Sequence, residues 1–186
     1  MKIMLLSGSF RKHSYSLALL RAVAELLEEH RCELPDLDQL PLYNEDRSGD
    51  HRPEVVRQFQ QQVEDCDAIV VCSPEYNHSI PAVLKNAIDW ASRPAFHSPL
   101  KDKPVTIITQ ASSLVGGARA QAHLKLVFDA TLSRIHPSHE MMIPDVKAKF
   151  DEHWQLVDDH TIKRLDSHLE DFMGFVDGLA KSQPVS

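Results

Sequence analysis

The 186-residue chain contains few cysteines and no long apolar segment. Its three cysteines, Cys32, Cys66 and Cys72, form no C-x-x-C pair, and their odd number argues against a disulfide framework. The apolar run at residues 1–7 is too short for the core of a signal peptide, and no later run reaches the length of a membrane span. These absences predict a cytoplasmic protein with reduced thiols.

Acidic residues outnumber basic residues in this chain. It has 20 Lys and Arg residues against 27 Asp and Glu residues, which gives a formal net charge of −7 at pH 7. Proteins that bind nucleic acids or anionic membranes need an excess of basic side chains to neutralise phosphates. We therefore expect neither a nucleic acid nor a membrane as a partner. A local basic spot that binds one small anion remains compatible with the composition.

Several familiar catalytic motifs are missing. The chain lacks G-x-G-x-x-G and G-x-x-x-x-G-K-[ST], which disfavours a dinucleotide or nucleoside triphosphate site of the usual kind. It also lacks a G-x-S-x-G elbow, so neither Ser73 nor Ser79 is supported as a hydrolase nucleophile. The closest pair among the 11 histidines, His136 and His139, has no third ligand at a useful spacing. We expect no metal site and no catalytic side chain.

Apolar runs instead alternate with helical patterns along nearly the whole chain. Strands are predicted at residues 2–7, weakly at about 32–37, at 67–73, at 105–109 and within 135–143. Helices are predicted at about 14–29, 54–65, 81–91, 116–133 and 161–180, and only residues 144–160 are hard to place. This alternation predicts one α/β domain over residues 1–186, with a parallel sheet covered by helices on both faces.

In such sheets, ligands bind beyond the carboxyl ends of the strands, near the point where the strand order reverses. The first loop to examine there, residues 8–16, leads directly into a helix N-terminus, where free N–H groups and the helix dipole favour an anion. It also carries several serine hydroxyls together with Arg11 and Lys12. Two interpretations are open from these residues alone: a phosphate site, or a polar loop capped by serine.

The loops after strands three and four complete this edge. Residues 74–81 place polar side chains and the aromatic ring of Tyr76 where a cofactor ring would lie, and the alternative is a proline-bounded turn. Residues 110–119 are rich in small side chains, which let the backbone approach a flat ligand and bond to its edge. Taken alone, this third loop is more typical of an ordinary glycine-rich turn.

Together the three loops resemble the NADPH-dependent FMN reductase family of the flavodoxin-like superfamily, in the branch described as chromate and quinone reductases. The resemblance lies in residues 8–14 (GSFRKHS), residues 74–77 (PEYN) continuing to 84–90 (LKNAIDW), and residues 116–121 (GGARAQ). It extends to about residue 142. It implies a flavodoxin-like three-layer sandwich, with a five-stranded parallel sheet in the order 2-1-3-4-5.

The resemblance also implies FMN as the cofactor and NADPH or NADH as the co-substrate. The implied contacts to FMN are Ser9, Arg11, Ser14 and Ser16 at the phosphate, Pro74, Glu75, Tyr76 and Asn77 along the ribityl chain and isoalloxazine, and Gln110, Ser112 and Ser113 at the polar edge of the ring, with Leu17 as a further cofactor contact. The flavin would carry the hydride to a small acceptor such as a quinone, an azo compound, a metal oxyanion or free flavin. A flavodoxin-type electron carrier, or a flavin-based redox sensor without NAD(P)H turnover, is the alternative.

The family resemblance further implies a homodimer or homotetramer, with contact surfaces on the helix from Pro81 and on the segment after Gly117. The chain departs from the family pattern at three places. Position 16 is usually Asn and is Ser here, and position 78 is often Tyr and is His here. The third loop usually has Ser or Gly where this chain has Gln110 and Ala111.

Overall fold

A single twisted sheet organises the computed structural model, which describes residues 1–182. Its strands are β1 (Lys2–Ser7), β2 (Arg31–Glu33), β3 (Ala68–Pro74), β4 (Pro104–Gln110), β5 (Arg134–Ile135) and β6 (Met141–Ile143). They lie in the order β2-β1-β3-β4-β5, with β6 also paired to β4, and every pair is parallel. The predicted order 2-1-3-4-5, which is that of flavodoxin-like folds, is confirmed.

Five helices cover the two faces of this sheet. They are α1 (Tyr15–Leu26), α2 (Glu54–Asp65), α3 (Ala82–Ala91), α4 (Ala118–Ala130) and α5 (Asp159–Ser182). Alternate residues of each strand point to opposite faces. Met4 and Leu6 of β1 therefore pack with α2, α3 and α4, whereas Ile3 and Leu5 pack with α1 and α5. The two cores that result form the predicted three-layer sandwich.

The fifth strand differs from its predicted form. One strand was expected within residues 135–143, but two short strands, β5 and β6, pair with the two ends of β4. The intervening residues include Pro137, which has no N–H to donate to a sheet. The backbone leaves the sheet there, just after His136, whose N–H donates to the carbonyl of Val105 at 2.8 Å. A proline therefore divides the edge strand.

The segment that the sequence left unplaced, residues 144–160, has its own structure. It contains a 3-10 helix at Val146–Lys149, followed by a tight turn whose ends are joined by an antiparallel bridge between Phe150 and Leu156. Three further 3-10 helices, Leu37–Gln39, Glu45–Arg47 and Gly49–His51, lie between β2 and α2. No helix within residues 1–182 is long and apolar enough to span a membrane.

Candidate active site

A cavity of about 360 Å³ opens at the carboxyl ends of β1, β3 and β4. The three loops singled out in the sequence all contribute to it, which agrees with the rule that ligands bind at this edge of such sheets. The lining residues are Ser9, Arg11, Ser14, Tyr15, Pro74, Glu75, Tyr76, Gln110, Ala111, Ser112 and Ser113. Its volume lies within the range of small-molecule and cofactor sites.

Gly8 allows the first loop to lie close to the end of β3. A Cβ atom at Gly8 would lie 2.8 Å from Ser73 Oγ and 2.9 Å from Pro74 Cδ, which is closer than van der Waals contact permits. The N–H of Gly8 also donates to the carbonyl of Cys72 at 2.9 Å. The close approach of the first loop to β3 therefore depends on the absence of a side chain at this position.

The start of α1 presents free hydrogen-bond donors toward this end of the sheet. Ser14 is the N-cap, and its Oγ accepts from the N–H of Leu17 at 3.4 Å. Within residues 1–182, no protein group accepts a hydrogen bond from the N–H of Tyr15 or Ser16. Such N–H groups and the helix dipole favour an anion. The nearby guanidinium of Arg11 is exposed and donates to the carbonyl of His13 at 3.1 Å.

Glu75, in the second loop, ties β3 to the first turn of α4. Its carboxylate accepts hydrogen bonds from the N–H groups of Arg119 at 2.9 Å and Ala120 at 3.3 Å, and pairs with the Arg119 guanidinium at 3.2 Å. Partial burial opposes ionisation of Glu75, but these bonds outweigh it and lower the pKa of its carboxyl. Glu75 is therefore an ionised residue that fixes the loop, and it is poorly suited to act as a general acid.

A two-residue turn follows Glu75 at the mouth of the cavity. Tyr76 and Ser79 exchange two backbone hydrogen bonds of 2.9 Å, and Asn77 and His78 between them have φ angles of 49° and 64°. Paired positive φ angles are typical of tight hairpin turns. The turn holds Tyr76 half exposed beside the cavity and directs Asn77 and His78 toward solvent.

The third loop is held in place by a glycine and by the chain after β6. A Cβ atom at Gly117, whose φ is 86°, would lie 3.0 Å from the Cβ of Thr109, so that a side chain would be both strained and crowded. Ala111 donates to the carbonyl of Ile143 at 3.2 Å and accepts from the N–H of Val146 at 3.1 Å. These contacts position the backbone of residues 112–113, whose N–H groups have no acceptor within the described chain.

Three of the residues implied by the family resemblance, Ser16, Leu17 and Asn77, do not line the cavity. Ser16 is fully buried below it, and its Oγ accepts a hydrogen bond from Gln110 Nε2 at 3.1 Å. Two positions at which this chain departs from the family pattern therefore bond to each other. Burial also raises the pKa of the adjacent Cys72 thiol to about 12, so that this cysteine is inert.

The sequence analysis missed two lining residues, Tyr15 and Ala111. Ala111 lies between predicted contacts, and its small side chain carries no chemical signal of its own. Tyr15 is the first residue of α1, where helical periodicity places it between the two serines at the N-terminus. The orientation of the Tyr15 ring depends on contacts with the aromatic rings of Phe150 and Trp154. Both belong to residues 144–160, for which the sequence predicted no structure.

A second and larger hollow, of about 1410 Å³, lies between α4 and α5 along β5 and β6. In its floor, the Oγ1 of Thr106 contacts His168 Nε2 at 2.7 Å and His136 Nδ1 at 3.3 Å. Burial lowers the pKa of both imidazoles, to about 4 for His168, where the neighbouring His136 and Arg164 act in the same direction and Asp171 opposes them. These histidines are therefore neutral near pH 7. We call this hollow the α4–α5 groove.

Comparison with known proteins identifies the family. The model of the family described as NADPH-dependent FMN reductase matches residues 1–148. The chain belongs to this family. The predicted membership is thus confirmed, and with it the assignment of the chain to the NAD(P)H-dependent oxidoreductases. The family name also implies FMN and NAD(P)H.

Individual relatives match over almost their entire length. The chain is 39% identical over 174 residues to an NAD(P)H-dependent FMN reductase of Pseudomonas aeruginosa, which covers 91% of each protein. It is 36% identical over 177 residues to a 2-hydroxy-1,4-benzoquinone reductase of a Burkholderia species, which covers 95% of this chain and 96% of the relative. Among solved structures, the flavoenzyme NAD(P)H:(acceptor) oxidoreductase FerB of Paracoccus denitrificans has a TM-score of 0.85 and 29% identity, covering 95% of this chain and 97% of FerB.

Proposed function

We propose that this protein binds FMN in the three-loop cavity and reduces a small acceptor, in the first place a quinone, at the expense of NADPH or NADH. The observation that carries this proposal is the convergence of unpaired backbone donors and the Arg11 guanidinium on a cavity at the end of the sheet. Family membership supplies the chemical context. The proposal assigns each loop a separate part of the cofactor.

The first loop suits a terminal phosphate. Ser9, Ser14 and Arg11, which offer two hydroxyls and a guanidinium, line the cavity together with Tyr15, whose backbone N–H has no acceptor within the described chain. A phosphate ester accepts several hydrogen bonds at once and carries the negative charge that a helix N-terminus favours. The donor set therefore fits a flavin mononucleotide better than an uncharged flavin.

The second and third loops suit the flat ring. The N–H groups of Ser112 and Ser113 are available to the polar edge of a ring, where they would stabilise negative charge. Ala111 keeps the backbone accessible, and Tyr76, with 44% of its surface exposed, borders the mouth. FMN, when bound, supplies the two-electron redox chemistry that these side chains lack. The protein's part is to hold the ring with one side open to successive partners.

A quinone is the acceptor that the relatives favour. One relative is named a 2-hydroxy-1,4-benzoquinone reductase, and a protein of Escherichia coli that is 32% identical over 180 residues is named a quinone reductase. Tyr76 lines the cavity and is half exposed, and the exposed turn at Asn77 and His78 follows it, which leaves room and an aromatic edge for a planar acceptor. The same opening would admit the nicotinamide ring.

Anaerobic stopped-flow absorbance tests the proposal. The FMN-loaded protein is mixed with NADPH or with NADH, and the flavin absorbance is followed before and after a quinone is added. We expect rapid bleaching by at least one nicotinamide and recovery of the absorbance with the quinone. Bleaching by dithionite but by neither nicotinamide would indicate an electron carrier or a sensor instead. Failure of the purified protein to retain FMN would overturn the proposal altogether.

We also propose that the protein is a homodimer or homotetramer in the cytoplasm. Leu126 on α4 and Leu114 and Val115 in the third loop are exposed by 69%, 88% and 50%, and a second copy would cover them. The free cysteines fit a reducing compartment. Sedimentation velocity tests the assembly: the wild type should sediment as a dimer or tetramer, and Leu126→Glu should shift it toward the monomer. A monomeric wild type would contradict this part of the proposal.

A further inference from the structure

Trp154 has an unusual backbone conformation for a large aromatic residue. Its φ angle is 63°, in the left-handed region that bulky side chains rarely adopt. Asp151 stabilises this strained conformation, because its Oδ1 accepts hydrogen bonds from the N–H groups of His153 and Gln155 at 2.9 Å each. The N–H of Trp154 itself donates to the carbonyl of Asp151 at 3.2 Å. A strained residue fixed by its surroundings suggests that the position of its side chain matters.

The turn that carries Trp154 is firmly closed at its base. Phe150 and Leu156 form an antiparallel bridge, and the N–H of Val157 donates to the carbonyl of Lys149 at 2.9 Å. Lys149 also pairs with Asp158 at 3.3 Å, just before α5 begins. The indole therefore projects from a turn that is anchored to the body of the protein, and the turn can support a neighbouring loop.

The loop that it supports is the first loop of the cavity. The indole stacks on the imidazole of His13, with ring centroids 5.2 Å apart and planes at 30°, and packs on the phenol of Tyr15 at 4.8 Å. These two residues flank Ser14, the N-cap of α1. Tyr15 lines the cavity, and the carbonyl of His13 accepts the hydrogen bond from Arg11. One side chain thus contacts both sides of the helix start.

We infer that Trp154 is a positioning residue for the phosphate of the cofactor: its indole holds His13 and Tyr15 so that Arg11 and the N-terminus of α1 are already arranged for binding. The inference rests on the proposed function, because it presumes that FMN binds at the first loop. Trp154 does not line the cavity and acts only through its neighbours. It lowers the entropic cost of ordering the loop when the phosphate arrives.

The test compares FMN with riboflavin, which lacks the phosphate. We expect Trp154→Gly to weaken FMN binding by roughly tenfold, the scale of ordering two side chains on binding, and to change riboflavin binding by less than about twofold. Trp154→Phe keeps an aromatic ring on the same turn and should retain most of the FMN affinity. Asp151→Ala, which removes the acceptor for His153 and Gln155, should reproduce the effect of Trp154→Gly without altering the indole.

Isothermal titration of flavin-stripped full-length protein, together with melting temperatures, gives the answer. Glycine adopts the φ angle of residue 154 without strain, so Trp154→Gly should keep its melting temperature while its FMN affinity falls. Equal weakening of FMN and riboflavin, or unchanged FMN affinity in Trp154→Gly, would overturn the inference while leaving the proposed function intact. Absence of FMN binding by the wild type would instead be a failure of the proposed function.

Discussion

The three-loop cavity and the α4–α5 groove are opposite kinds of hollow in one molecule. The groove is about four times larger, 1410 Å³ against 360 Å³, and it is the one that contains two buried histidines. The cavity is small and polar, and the one carboxyl among its lining residues, that of Glu75, is already bonded to α4. Volume and titratable side chains would therefore select the groove rather than the cavity that we propose for FMN.

The cavity differs from the groove in its backbone hydrogen bonding. Three strand ends and one helix N-terminus meet there, and N–H groups in the first and third loops lack acceptors within the described chain. In the groove, several polar side chains bond to one another instead: the two histidines contact the hydroxyl of Thr106, and Lys125 pairs with Glu140 at 2.7 Å. Unpaired backbone donors are available to bind a ligand, whereas side chains that bond to one another stabilise the fold.

Among the variants that distinguish the cavity from the groove, removal of the Arg11 guanidinium should have the largest effect on FMN affinity. We expect Arg11→Ala to weaken FMN binding by about 2–3 kcal/mol, roughly 30- to 150-fold, because a charge-assisted hydrogen bond is lost. Riboflavin binding should change little. Arg164→Ala, which removes an arginine from the groove, is the matched control and should leave both affinities unchanged. Equal loss of both flavins in Arg11→Ala would mean that Arg11 is structural.

The histidines of the groove should affect the pH dependence of stability rather than flavin binding. The pKa of His168 is about 4 in the folded protein against an ordinary 6.5, so protons bind preferentially to the unfolded chain as the pH falls. The contribution of neutral His168 to the free energy of unfolding is therefore complete above pH 6.5 and is lost as the pH falls to about 4. Between pH 7.5 and pH 5 we expect His168 to account for a loss of about 2 kcal/mol.

Guanidinium unfolding at these two pH values measures that loss. His168→Gln should reduce the pH dependence, and His160→Gln, at an exposed position near the start of the same helix, should not. FMN affinity at pH 7.5 should be the same in both variants. An unchanged pH dependence in His168→Gln would show that the imidazole titrates normally in the fold.

The buried hydrogen bond between Ser16 and Gln110 should make a smaller contribution to the free energy of unfolding. Each single substitution to Ala removes one partner of a buried bond, and the double substitution removes both. We expect a coupling free energy of about 1 kcal/mol in a double-mutant cycle from chemical unfolding. Additive effects would contradict the geometry of this contact.

Replacing His78 should give the smallest effect of the series. His78 lies on the exposed turn with φ of 64°, and Asn tolerates that conformation better than most residues. We expect His78→Asn to change kcat/KM for a quinone by less than about tenfold and to leave flavin reduction by NAD(P)H intact. A thousandfold slower reductive half-reaction in stopped flow would assign His78 a direct catalytic role.

Much of the architecture was predictable because buried strands and amphipathic helices carry strong local patterns. The fully buried β3 and the apolar stripe on α5 were placed correctly, and the order of the sheet followed from the family resemblance. The division of the edge strand was missed because a proline inside an apolar stretch signals an interruption without locating the strands on either side.

The site was predictable to the level of loops but not of individual contacts. Residue types at strand ends identify which loops meet, whereas the depth of a side chain depends on distant partners. Ser16 was expected at the phosphate, yet its hydroxyl bonds to Gln110, 94 residues away in the chain. Trp154 could not be connected with the first loop, because its segment has no periodicity and its contacts are purely tertiary.

An NMR titration with FMN tests the central claim, that the cavity and not the groove holds the cofactor. In ¹⁵N-correlated spectra of flavin-stripped protein, we expect the largest amide shifts in residues 9–17, 75–77 and 110–113, with those of residues 135–141 and 164–175 nearly unchanged. Shifts centred on the α4–α5 groove, or spread evenly over the sheet, would contradict it.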